Sequence, residues 1–430
     1  MSQHPHLIHY PATIMPDPSR TIARPFVPGY PQGYGPADRT RAEVIVSRIL
    51  ALADSELDAE LADIALSLDE RHNEVEGLLT RRYEELASQF DIGAEIDARQ
   101  RLLIGSYFTQ EYSFEAAALF NPSAILHPDQ SDLPNGAVRL VMSLRAIGEG
   151  HVSSLSFRTA VWTPGGALDI DPVGPTTQPP ISKQISDGDA TFVELHCGGS
   201  RVISETVLFP VTPNQRQGIE DVRLVRFVDD DSSVTYYGTY TAFDGRDARS
   251  ELLVGQDFHE FQMRPLQGDA VKNKGMALFP RRVGGRYAML GRQDNENIWL
   301  LMSDDILEWS GGVKVIEPRY PWEFVQMGNC GSPIETAEGW LVLTHGVGKI
   351  RNYAIGACLL DKNDPTRLLA RTPKPILAPT EDQRDGYVPN VVYSCGAVAV
   401  GRDILIPYAV ADSFTAFAAT TVDALLAAMD

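Results

Sequence analysis

The chain has 430 residues, long for one domain, and its 43% hydrophobic and 22% charged content is that of a folded globular protein. A net charge of −20 argues against nucleic acid as a partner and requires that any anionic substrate be held by a local group of Lys and Arg. No apolar run of about 18 residues occurs and the first residues lack a basic and then apolar leader, so the expectation is a cytoplasmic protein without a membrane segment.

Residues 1–37 are rich in proline and glycine and read as an extended arm, lying on the body or on a neighbouring subunit. Residues 38–104 change character. Val44, Ile45, Ile49 and Leu52, then Leu57, Leu61 and Ile64, then Val75, Leu78, Leu79 and Tyr83 recur at helical spacing with an acidic solvent face. They predict about three helices, a cap or an oligomerisation element, and with it a homo-oligomer.

From about residue 105 to 430 the chain is β-rich. Paired strands flank polar turns, as in 139–158, 286–309, 340–365 and 404–426. Repeats of roughly 45–60 residues with this look suggest the blades of a β-propeller. Thr421 to Met429 reads as a short C-terminal helix capped by Thr420 or Thr421. The four cysteines, Cys197, Cys330, Cys358 and Cys395, form no CxxC pair and read as free thiols; with no partners for His196 and Cys197, no metal is expected.

The most pointed stretch is Gly218-Ile219-Glu220-Asp221-Val222-Arg223, two carboxylates and a guanidinium where a loop enters a hairpin. Such a cluster suits a site better than a core: one carboxylate can donate a proton while arginine holds its neighbours. In a propeller, strand ends from different repeats converge, which brings Arg145, Asp221, Lys274, Arg292 and His345 together. Tyr240 lies on the following hairpin. Asn121 and Asp129, Asp304, and Asp385 with Asn390 are further polar loop positions suited to sugar hydroxyls; each also fits an ordinary turn.

These motifs resemble glycoside hydrolase family 130, the mannoside phosphorylases and β-mannosidases, over roughly residues 105–425. The resemblance rests on 218–223, on Asn273-Lys274-Gly275-Met276-Ala277-Leu278-Phe279-Pro280, on Met289-Leu290-Gly291-Arg292, and on Ser303-Asp304-Asp305 with Trp309. It also rests on His345-Gly346-Val347, on Leu359-Leu360-Asp361 with Asp364-Pro365, and on Val388-Pro389-Asn390-Val391-Val392. It implies an all-β five-bladed β-propeller, here with an N-terminal helical extension. It further implies that Asp221 is the proton donor of an inverting phosphorolysis of β-mannosides, β-1,2-linked manno-oligosaccharides foremost. Phosphate, as co-substrate and without other cofactors, would be bound by Lys274, Arg292 and His345 with Tyr353 nearby, and sugar by Asn121, Arg145, Glu220, Arg223, Tyr240, Asp304, Asp385 and Asn390.

The chain departs from the family pattern at Val222, where proline is usual, and at Gly291-Arg292-Gln293, where many phosphorylases have His-Arg-Pro. Two rivals stay open. One is an inverting β-mannosidase using water, with Glu149 beside His151 as a candidate base; the other is a non-catalytic carbohydrate-binding propeller.

Overall fold

The computed structural model describes residues 7–35, 38–68, 71–90, 96–188 and 190–430. The chain falls into two compact units: Met1–Pro18 with Phe114–Gly174 and Pro179–Asp430, and Ser19–Ser113 with Pro175–Gln178. The sequence suggests boundaries near 37 and 104. The structure divides the chain at 18 and 113, because strand Ile8–Ile14 pairs with Phe414–Thr421 while strand Thr21–Pro25 pairs with Thr109–Ser113.

The smaller unit holds four helices among its described residues: α1 (Arg41–Leu50), α2 (Asp54–Leu68), α3 (Val75–Ala87) and α4 (Ala98–Tyr107). A capping box of Thr40 and Glu43 starts α1, and one of Asp97 and Gln100 starts α4. Val46, Ile49, Leu57, Leu86, Leu103 and Phe108 form its core. Helix α4 can approach α3 closely because residue 105 is glycine; a Cβ there would lie 2.1 Å from the Leu79 carbonyl oxygen.

Among the described residues, the strands of the larger unit form four sheets, and dividing the eleven-stranded one at its parallel pairing gives five antiparallel groups. The first contains Ala118–Leu126, Val138–Ile147 and Ser153–Trp162; the second contains Gly218–Val228, Val234–Phe243, Ala248–Gly255 and Glu260–Pro265. These two join through a parallel pairing of Gly218 with Ser153. The third contains Tyr287–Gly291 and Ile298–Ser303, the fourth Trp340–Val347 and Tyr353–Leu360, and the fifth Asp403–Val410 and Phe414–Thr421. Alternating side chains let each group bury both faces.

Successive groups share cores. Phe157 and Val141 meet Leu224 and Leu253; Phe227 and Leu252 meet Met289 and Trp309; Phe279 and Leu290 meet Trp340 and Val342; Leu343 and Ile355 meet Ile404 and Ile406. The last group returns to the first, with Tyr393, Cys395 and Ala409 packed on Phe120 and Ile147. Hydrogen bonds reinforce this closure: Cys395 N donates to Pro122 O at 2.8 Å and Ala124 N to Gly396 O at 3.1 Å. A cavity of about 390 Å³ is lined by Ile125 and Leu224 of the first two groups and by Pro280, Ser332 and Val398, which precede the strands named for the other three. The C-terminal helix, α5 (Val422–Ala427), is capped by Thr421, whose hydroxyl accepts from Ala424 N at 3.1 Å.

Candidate active site

Two bulges build the centre. Strand register slips between Phe120 and Ser123 and between Glu220 and Arg223. Within the slips, Asn121 and Asp221 take left-handed φ values of 49° and 54°. Such a conformation costs a non-glycine residue about 1–3 kcal/mol, and a bulge re-aims the side chain out of strand alternation. The two side chains meet, Asn121 Nδ2 donating to Asp221 Oδ1 at 2.7 Å. Left-handed φ values also occur at Asn273, Gly331 and Asn390, ahead of the strands named for the other groups.

Cations surround the paired carboxylates. Arg145 donates from Nη1 to Asp221 Oδ1 at 3.3 Å, from Nη2 to Glu220 Oε1 at 2.7 Å, and from Nε to Ser153 Oγ at 2.8 Å. Lys274 Nζ pairs with the other Glu220 oxygen. Arg223, buried, donates to the Tyr393 hydroxyl at 2.8 Å and to the Asp221 carbonyl at 3.4 Å. Arg292 Nη1 lies 3.2 Å from His345 Nε2, and His345 Nδ1 lies 3.3 Å from the Asn329 carbonyl. Since a carbonyl can only accept and a guanidinium only donate, the ring is neutral with its proton on Nδ1. Tyr353 stacks on this imidazole at 6.0 Å, and Tyr393 tilts against it at 4.7 Å. Gly328 makes room for the ring; a Cβ there would meet it at 2.5 Å. The Nε atoms of Arg223 and Arg292 are buried and have no hydrogen-bond partner among the described residues.

The electrostatics follow from this crowding. Burial alone would raise the Asp221 pKa, but Arg145, Lys274 and Arg223, with the Asn121 hydrogen bond, outweigh it and hold the carboxyl at about 2. Burial, then Arg292 and Arg223, drive His345 well below the ordinary histidine value. A third carboxyl behaves oppositely. Asp412 is pushed up to about 7, first by burial and next by the Asp221 charge, against the pull of Arg145 and Arg351.

Among the residues singled out from sequence, Asn121, Arg145, Glu220, Asp221, Arg223, Lys274, Arg292, His345 and Tyr353 form this linked cluster. Tyr240 lies in the core between the first two strand groups, its hydroxyl donating to Glu251 at 2.6 Å and accepting from Gln215 at 3.0 Å. Asp304 is exposed and pairs with Arg286 at 3.1 Å; Asp129 binds the Ser131 amide and hydroxyl of its own turn. Asp385 is exposed. Asn390 joins the cluster through its backbone, its carbonyl accepting from Tyr353 N at 3.1 Å. Glu149 is exposed, and neighbouring His151 contacts the Tyr387 hydroxyl at 2.8 Å.

Sequence reasoning missed Asp412, Tyr393 and Asn329. Asp412 sits in the tight turn between Asp403–Val410 and Phe414–Thr421, with φ of 49° at Ala411 and 50° at Asp412. Hairpin turns of that shape favour Asn-Gly, so an Ala-Asp turn was the available signal. Among the described residues, no group of three or more His, Cys, Asp or Glu is placed to hold a metal ion.

The profile of glycoside hydrolase family 130, described as β-1,4-mannooligosaccharide phosphorylase, matches residues 196–430, more than half of the chain. The chain belongs to glycoside hydrolase family 130. A 1,2-β-oligomannan phosphorylase of Thermoanaerobacter sp. (strain X514) is 33% identical over 49% of this chain and 71% of its own length. A β-1,2-mannobiose phosphorylase of Listeria innocua is 35% identical over 48% of this chain; the match spans 58% of that relative. The solved Listeria innocua β-1,2-mannobiose phosphorylase with β-1,2-mannobiose shares the fold, with a TM-score of 0.53 and 23% identity over 73% of this chain and 92% of that one. A glycosyl hydrolase structure from Bacteroides ovatus does so equally, with a TM-score of 0.53 and 20% identity over 73% and 87%. Among the described residues of this family 130 member, no helix is long and apolar enough to cross a membrane.

Proposed function

We propose that this family 130 member is an inverting phosphorylase of β-mannosides, β-1,2-linked manno-oligosaccharides foremost, releasing α-mannose 1-phosphate. The observation that carries this reading is the make-up of the cluster. Asp221 and Glu220 stand among Arg145, Lys274 and Arg223, Arg292 contacts His345 in the same cluster, and the buried Nε atoms of Arg223 and Arg292 have no partner among the described residues. That is an inventory for a dianion, not for water. Phosphate is already nucleophilic, so no second carboxylate must activate it.

In this reading a phosphate oxygen attacks the anomeric carbon from the face opposite the leaving group, and the glycosidic C–O bond breaks. Asp221 protonates a hydroxyl of the mannosyl ring, and that hydroxyl passes its own proton to the leaving oxygen. Asn121 and Arg145 hold the acid in place. Lys274, Arg292, the neutral His345 and Tyr353 hold phosphate, and Glu220 holds Lys274 until phosphate arrives. The five strand groups are taken as five blades of a propeller. The closed sequence of shared cores and the cavity bounded by all five groups support that arrangement. Four unpaired buried cysteines suit a reducing cytoplasm.

The test is selective loss of phosphate affinity. Arg292→Ala should raise KM for phosphate about 100-fold, the effect of a charged hydrogen-bond partner worth roughly 3 kcal/mol, with a much smaller change in KM for mannobiose. Equal effects on both constants would remove Arg292 from the phosphate site.

A further inference from the structure

A cavity of about 470 Å³ opens where the hairpin turn Lys349–Arg351 meets the turn at Pro321 and Trp322 and the segment carrying Arg384 and Asn390. Its aromatic side is held in place by missing side chains. The Trp322 ring lies over Gly346 and Gly356, where a Cβ would come within 2.6 and 2.5 Å of it, and Trp322 Nε1 donates to the Pro373 carbonyl at 3.3 Å. Next to it stands Ile350, 86% exposed, with φ of 57°. A β-branched residue in the left-handed region is a true outlier, tolerated where something else requires it.

The same turn can be made without that strain. In the first strand group, Gly148 enters the turn Glu149–His151 with φ −112° and ψ −158°, and glycine, Gly150, takes the left-handed place. Gly348 enters the later turn with φ −110° and ψ −156°, yet isoleucine fills the corresponding place. The conformation is therefore a property of the turn, and the apolar side chain beside Trp322 is an addition to it.

Around this apolar floor stand Lys349, Asn352, Arg384 and Asn390, all hydrogen-bonding groups. An apolar face ringed by polar groups matches a pyranose, which has a C–H face and a hydroxyl edge. The cavity also adjoins the candidate active site, since the Asn390 carbonyl receives Tyr353 N and Tyr353 stacks on His345. We infer that this cavity is a distal subsite that binds a further mannosyl unit of a longer oligosaccharide, stacked on Trp322 and flanked by Ile350. The inference rests on the reading of the chain as acting on manno-oligosaccharides and adds a chain-length preference to it.

The experiment compares kcat/KM for β-1,2-mannotetraose and β-1,2-mannobiose, at saturating phosphate, in the wild type, Trp322→Ala and Ile350→Gly. The tetraose-to-biose ratio should fall about tenfold in Trp322→Ala, the scale of one lost stacking contact, and about threefold in Ile350→Gly. Ile350→Gly guards against misfolding, because glycine relieves the strained φ and should raise the melting temperature while weakening the longer substrate. An unchanged ratio in both variants overturns the subsite. Calorimetric titration of mannotetraose into Asp221→Asn, with and without Trp322→Ala, reads binding without turnover. Weaker binding on loss of Trp322 supports the subsite whatever the chemistry. Binding indifferent to Trp322 overturns the subsite alone. No binding of any mannoside to Asp221→Asn or to the wild type overturns the underlying reading and the subsite with it.

Discussion

With no further anion beside its cations, Asp221 would be a poor proton donor. Held at about 2, it is ionised at neutral pH, and its charge is what the surrounding cations are arranged to balance. Phosphate entering beside Lys274 and Arg292 would take up part of that positive field, so that Asp221 gains a proton more readily when the co-substrate is bound. Asp412 is pushed up to neutrality, at about 7. Below that pH it is neutral and adds no charge next to Asp221; above it, deprotonation sets a second negative charge there, which favours a proton on Asp221 but repels the phosphate anion from the cluster. The wild-type kcat/KM should therefore lose activity as pH rises through about 7. Asp412→Asn, which cannot ionise, should escape that part of the loss. The ratio of variant to wild-type kcat/KM should rise by up to about tenfold per pH unit above 7, and any limb due to titration of phosphate itself cancels in the ratio. A ratio that stays flat from pH 6 to 9 would contradict this role for Asp412.

At the scale of elements, the strands hold the site through the cores between them. Trp340 is fully buried between the third and fourth strand groups, edge-on to Phe279 with ring centroids 4.9 Å apart, its Nε1 donating to the Lys362 carbonyl at 3.1 Å. Trp340→Ala would empty that layer and leave the carbonyl without its donor, and should cost about 3–5 kcal/mol in a urea titration. A loss below about 1 kcal/mol would mean the two groups do not depend on this layer. Most of the hairpins were legible from their alternation, and the C-terminal cap was legible as Thr420 or Thr421, of which the structure uses Thr421. Helix α4 was not legible as a separate helix. Its run Arg101-Leu102-Leu103-Ile104-Gly105 clusters apolar residues without helical period, and the capping box of Asp97 and Gln100 was the overlooked signal.

Across the whole molecule, the strongly acidic chain carries a cationic pocket that no composition average reveals. Arg145, Arg223, Lys274 and Arg292 come from three different strand groups, and only the fold gathers them against a net charge of −20. Nine of the thirteen predicted site residues join one linked cluster through their side chains, and Asn390 through its backbone, because short motifs at strand ends marked them individually. Tyr393 and Asp412 escaped because their significance is non-local. Tyr393 acquires its role by reaching Arg223, 170 positions earlier, and Asp412 by the field of Asp221. Tyr240 lies outside the cluster for the converse reason: it is on the right hairpin, but its side chain faces the core and bonds Glu251 and Gln215.

The most direct measurement is to incubate the protein with β-1,2-mannobiose, with and without inorganic phosphate, and follow the products by proton and phosphorus NMR. Phosphorolysis predicts α-mannose 1-phosphate and mannose in equal amounts, formed only when phosphate is present and abolished in Asp221→Asn. Free mannose alone, released at the same rate with or without phosphate, would contradict the account and turn the site into that of a hydrolase.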